Sequence, residues 1–172
     1  MLKAKIGREM MQKGTLDMQM EGDRFLRFKR FFEAPPQLVF DCLTRAELVQ
    51  KWLSGPPPME MVECAIEPEV GGAFRYVWSG PNGEHRFGMQ GIFKELSAPH
   101  RIVHTEIFDE DWTGGETLCT TSLLPQENGT LMDLLVEYST AEARAGAMQT
   151  GMKDGMSQSY DKMDKILEIR AG

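Results

Sequence analysis

The stretch MQTGMKDGMSQSYDKMDKIL, residues 148–167, decides how this chain folds. Met148, Met152, Met156, Tyr160, Met163 and Leu167 step by four or three. At ~100° per residue they fall within a sector roughly 120° wide. No proline interrupts Ala141 to Arg170, so the spacing predicts one long amphipathic helix with this stripe on a core. Four of the six side chains are methionine, flexible and polarizable, which suits a yielding apolar surface as well as close packing. Gly151 and Gly155 flank the stripe, and each costs about 1 kcal/mol relative to alanine inside a helix. Such small residues either admit a strand closely or leave a void beside the methionines.

Upstream of the helix the chain reads as strands with one helical interlude. In FLRFKRFF, residues 25–32 of a strand expected from Arg24 to Glu33, period-two alternation puts Leu26, Phe28 and Phe32 on one face. Arg30 falls in the same register, so it must lie at an open end, meet a carboxylate or break the phase. Ala34-Pro35-Pro36 stops this strand, because proline lacks a ladder donor but suits the first turn of a helix. Leu38, Val39, Cys42 and Leu43 then predict a helix over Pro36–Thr44. A second, Ala46–Leu53, turns Leu48, Val49 and Trp52 inward and ends at SGPPP, residues 54–58. Short strands follow at Met59–Glu67, Ala73–Ser79, Arg86–Leu96, Arg101–Phe108, Thr117–Leu124 and Thr130–Ser139. Between them lie Gly71-Gly72, GPNG at 80–83, SAPH at 97–100, an acidic loop around Trp112, and QENG at 126–129. Such regular spacing predicts one antiparallel, strongly curved sheet, and with the helices an α+β fold.

The length of 172 residues suits one domain, placed over 23–172 with residues 1–22 as a basic arm lacking apolar periodicity. No apolar run approaches the ~18 residues of a membrane span, and the first 20 residues hold no apolar core of a secretory signal, so a cytoplasmic location is expected. With 19 basic against 26 acidic side chains the net charge is −7, which disfavours nucleic acid as a partner. Cys42, Cys64 and Cys119 are odd in number, widely spaced and without a C-x-x-C. That argues for small core side chains rather than a disulfide framework or thiolate zinc site.

The order of elements and several short motifs resemble the START-like (Bet v 1-like, SRPBCC) superfamily, in the branch named for activators of the Hsp90 ATPase. The motifs are RFFEAP at 30–35, LVQKW at 48–52, VGGAFRY at 70–76, PNGE at 81–84, GIFKEL at 91–96, PHRIVHTE at 99–106 and TGMKDGM at 150–156. Together they span about residues 24–170. The resemblance implies a helix-grip fold, a curved sheet wrapped around the C-terminal helix with a hydrophobic tunnel between them. It also implies a ligand of lipid, sterol, hormone or polyketide type. Two departures stand out. Glu67-Pro68-Glu69 replaces the Asp-x-Arg that relatives often carry before the Gly-Gly, and Met152 stands where many have tryptophan, which softens the pocket floor.

The residues expected to line such a cavity are Trp52, Tyr76, Trp78, Phe93, Met148, Met152 and Met156. They supply apolar area, with a few polar tips to orient a guest. His104 and Glu106, on alternate positions of one strand, can do acid–base work if they point into a pocket; otherwise they form a solvent-facing polar row. His100 and His104 lie roughly 13 Å apart along extended chain, too far to share one ion. No phosphate-binding glycine loop and no G-x-S-x-G elbow occurs, so no metal, cofactor or acyl-transfer site is expected. The leading expectation is a non-enzymatic binder of a small hydrophobic molecule, monomeric or homodimeric. The alternatives are a chaperone co-factor or stress-response interaction module, and a cyclase- or dehydratase-type enzyme.

Overall fold

The computed structural model describes residues 11–110 and 114–172. Residues 1–10 of the expected arm, and Trp112, lie outside the described residues. The strands are β1 (Asp17–Glu21), β2 (Phe25–Phe32), β3 (Glu60–Ile66), β4 (Ala73–Ser79), β5 (Phe87–Ser97), β6 (Arg101–Phe108), β7 (Thr117–Gln126) and β8 (Gly129–Glu137). The helices are α1 (Pro36–Thr44), α2 (Ala46–Trp52), α3 (Ala141–Met148) and α4 (Met152–Ala171). The strands form one antiparallel sheet in the order β1-β2-β8-β7-β6-β5-β4-β3. The first long strand therefore pairs with the last, and the helices cover the concave face between them.

Alternation along the strands decides what that face carries. Leu26, Phe28 and Phe32 are fully buried on β2, and Phe74, Tyr76 and Trp78 nearly so on β4. Met163 and Leu167 of α4 meet them, fully buried, each contributing roughly 1.5–3 kcal/mol. The hairpin turn at Pro81–Gly83 holds Asn82 and Gly83 at φ 58° and 79°, as its Asn-Gly pair predicts. Gly72 is dictated by space, since a Cβ there would lie 2.2 Å from the Glu67 carbonyl oxygen.

Arg30 takes the second of its three expected outcomes. It is fully buried, and its Nη2 donates to Asp161 at 2.8 Å and Asp164 at 2.7 Å, both on α4. Its guanidinium also sits 5.5 Å from the Phe32 ring centroid and 5.8 Å from that of Tyr160. Nε and Nη1 have no hydrogen-bond partner among the described residues. One ion cluster thus locks the helix onto the sheet.

Two expectations are corrected. The C-terminal helix is not one rod: Gly151, at φ 73°, separates α3 from α4. That left-handed conformation costs other L-residues about 1–2 kcal/mol, so glycine stands at the joint. Neither Gly151 nor Gly155 admits a close strand, because both are exposed and a Cβ at either would meet nothing within 4 Å. The sheet also begins inside the expected arm. Asp17–Glu21 pairs with β2, Leu16 is buried, and Lys13 bridges Glu33 and Glu168 at 2.8 and 3.1 Å.

Candidate functional site

Strand β6 turns His104 and Glu106 toward the concave side, with His104 against Phe74 and Phe93, whereas the alternating Thr105 and Ile107 face the other way. The polar row is therefore not a solvent-facing one. His104 Nε2 and Glu106 Oε1 are 2.9 Å apart, with side chains only 17% and 27% exposed. The antiparallel register of β6 and β7 sets Cys119 opposite His104 and Thr117 opposite Glu106. The nearest ligand atoms of His104, Glu106 and Cys119 all lie within 4.8 Å of one another. Against a carboxylate the His104 Nε2–H must donate, and this leaves Nδ1, which is buried without a hydrogen-bond partner among the described residues. The imidazole is fixed by aromatic neighbours, edge-on to Phe74 at 5.4 Å and Phe93 at 6.3 Å.

Three tyrosines from three elements surround this cluster: Tyr76 of β4, Tyr138 just after β8, and Tyr160 of α4. Burial pushes each phenol above its ordinary pKa, and the nearby Glu106 charge adds to the rise. Burial likewise pushes the Cys119 thiol well up, with Glu106 reinforcing it. Tyr138 donates to Met152 Sδ at 3.7 Å, which ties the polar floor to the first turn of α4.

The expected cavity residues divide into two sets. Trp52, Tyr76, Trp78 and Phe93 are buried core. Trp52 donates its indole N–H to Cys42 O at 2.7 Å and stacks on Tyr160 at 5.6 Å. Trp78 donates to Leu53 O at 2.7 Å. Met148, Met152 and Met156 are half-buried against this core, on both sides of the Gly151 joint. His100 stands apart, its Nδ1 3.2 Å from Leu123 O. Two depressions of about 370 and 360 Å³ lie on the outer face of the sheet, where Thr105 and Glu116 border both. Sequence reasoning missed Cys119 and Tyr138 as members of the inner cluster, since both depend on cross-strand register.

The family model for activator of Hsp90 ATPase homolog 1-like proteins matches residues 33–168. A crystal structure of a protein from Rhodobacter sphaeroides is 35% identical, covers 90% of this chain and 99% of its own, and superposes with a TM-score of 0.84. A protein from Mycobacterium smegmatis, 19% identical, covers 89% of this chain and 97% of its own with a TM-score of 0.78. The solution structure of an AHSA1-like protein from Aeromonas hydrophila, 15% identical, covers 83% and 93% with a TM-score of 0.68. No curated protein matches. No described helix is long and apolar enough to cross a membrane. On the match over residues 33–168 and its agreement with the helix-grip architecture, the chain belongs to the activator of Hsp90 ATPase homolog 1-like family.

Proposed function

We propose that the protein binds a small, mainly apolar molecule, lipid-like or polyketide-like, between the concave sheet face and the α3–α4 joint. The observation that carries this reading is the His104–Glu106 pair, a partly accessible polar floor beside Phe74 and Phe93, with Met152 held by the Tyr138 hydroxyl. Pockets for small molecules combine that kind of apolar lining with a few convergent polar groups. Trp52, Tyr76, Trp78 and Phe93 form the wall, and Met148, Met152 and Met156 the yielding side. Entry requires the methionines to move, and the left-handed Gly151 supplies a joint about which α3 can shift while Arg30 holds α4.

Native mass spectrometry of the purified protein, with titration of a fluorescent lipophilic probe, tests this. Probe binding at one site per chain is expected, and Met152→Trp should weaken it by filling the roof while leaving the far-ultraviolet dichroism unchanged. Absence of both a co-purifying molecule and probe uptake would refute the reading. The 2.9 Å His104–Glu106 contact also favours a second proposal, proton transfer of the cyclase or dehydratase type. Turnover of a polyketide-like substrate unaffected by His104→Ala would eliminate it.

A further inference from the structure

We propose that His104, Glu106 and Cys119 form a binding site for a divalent transition-metal ion of the zinc class. The juxtaposition follows from the strands. His104 and Glu106 occupy alternate positions on one face of β6, and Cys119 is the cross-strand partner of His104 on β7. Their ligand atoms lie within 4.8 Å of one another, so around one ion they must draw in to roughly 3.3–3.8 Å, the edge of a tetrahedron with bonds of about 2.0–2.3 Å.

Imidazole, carboxylate and thiolate together suit zinc or cobalt rather than calcium or magnesium, which take oxygen ligands. All three side chains stand on strands held by ladder hydrogen bonds, so little backbone reorganisation accompanies binding. Coordination replaces the proton between Nε2 and Oε1: the imidazole proton moves to Nδ1, and the Cys119 thiol proton passes to solvent. Three protein ligands leave a fourth position for water or another ligand. The site also has a built-in limit. His104 Nδ1 is buried without a partner, so the outer-shell hydrogen bond that commonly orients a histidine ligand is absent, a deficit of roughly 10–100-fold in affinity. Binding is therefore weaker than at a closed structural zinc site. The ion would share His104 and Glu106 with the proposed apolar pocket, but it needs no space under α3, so either can stand without the other.

The test uses full-length protein freed of metal by chelator dialysis, titrated with Zn²⁺ against a chromophoric chelator and, in parallel, with Co²⁺. One ion per chain is expected, with a thiolate-to-cobalt charge-transfer band in the near ultraviolet. Cys119→Ser should abolish the band, and both Cys119→Ser and His104→Ala should weaken zinc binding by more than the roughly 10–100-fold of an outer-shell loss. His100→Ala and Cys64→Ser should change neither. No zinc uptake by the wild type, or undiminished uptake by Cys119→Ser, overturns the proposal. If a variant fails to fold, the wild-type spectrum decides: cobalt bound without a sulfur-to-metal band overturns it equally. Lipophilic-probe binding that survives such a result would leave the apolar pocket standing alone.

Discussion

Replacing Asp164 by alanine should destabilise the fold by about 3–5 kcal/mol, the cost of leaving a buried charge without its counter-ion. Arg30 is 0% exposed, and its carboxylate partners differ sharply: Asp161 is 58% exposed and Asp164 only 13%. Removing Asp164 leaves a dry guanidinium facing one solvated carboxylate, with Nε and Nη1 already unpartnered. For a chain of this size each kcal/mol shifts the thermal midpoint by roughly 2–4 °C, so a fall of about 6–20 °C is expected by calorimetry. The double variant Arg30→Met/Asp164→Leu removes both charges and sets an apolar chain beside Phe32 and Tyr160; it should recover most of the loss, because swapping a buried pair for well-packed apolar groups is often neutral. Burial raises the Asp164 pKa and outweighs the downward pull of Arg30. The native state thus holds that proton more readily than the unfolded chain. Ionising Asp164 therefore costs part of what its pairing with Arg30 gains, which places the loss near pH 7 toward the lower end of that range. An Asp164→Ala protein within about 1 kcal/mol of wild type, or a double variant less stable than Asp164→Ala, would refute the reasoning.

Two further outcomes follow from local chemistry. Burial pushes the thiols of Cys42 and Cys64 up to about 11 and that of Cys119 well above its ordinary value. At about pH 8 only on the order of one in a thousand of the first two is thiolate, so native protein should react with a disulfide reagent far more slowly than urea-unfolded protein; equal rates would contradict the burial. At the helix joint, Gly151→Ala should cost about 1–2 kcal/mol through its left-handed backbone, whereas Gly155→Ala, inside a regular helix with open space at Cβ, should gain up to about 1 kcal/mol. Urea midpoints moving in the same direction for both would defeat that contrast.

Much of the fold was legible because period-two and period-3.6 patterns report directly on which face is buried. Pro36–Thr44, Ala73–Ser79 and Arg101–Phe108 have the bounds expected from sequence. The misses have physical causes. DMQME at 17–21 does alternate, but over only two methionines, too short a run to stand out; β1 is an edge strand, with Met18 against the core and Met20 in solvent. The Gly151 break is invisible to periodicity because α4 resumes the same apolar face after it. Within the site, the His104–Glu106 spacing showed a shared face but not which side that face took. Cys119 is fifteen residues away in sequence and joins the cluster only through the β6–β7 register.

Two polar clusters therefore share one concave face, and only one has a structural reason. Arg30 with Asp161 and Asp164 joins β2 to α4, elements with no ladder between them. His104, Glu106 and Cys119 sit on adjacent strands that the ladder already joins, so the cluster ties nothing together that would otherwise part. It nevertheless carries the desolvation cost of a partly buried carboxylate and a bare, buried Nδ1. A triple variant, His104→Leu/Glu106→Met/Cys119→Val, removes that cost while keeping similar volume beside Phe74 and Phe93. It should fold as stably as wild type or more so, by up to about 1–4 kcal/mol in urea unfolding, while losing zinc uptake. A triple variant several kcal/mol less stable would instead make the cluster part of what holds the sheet, and its partnerless groups would no longer argue for a site.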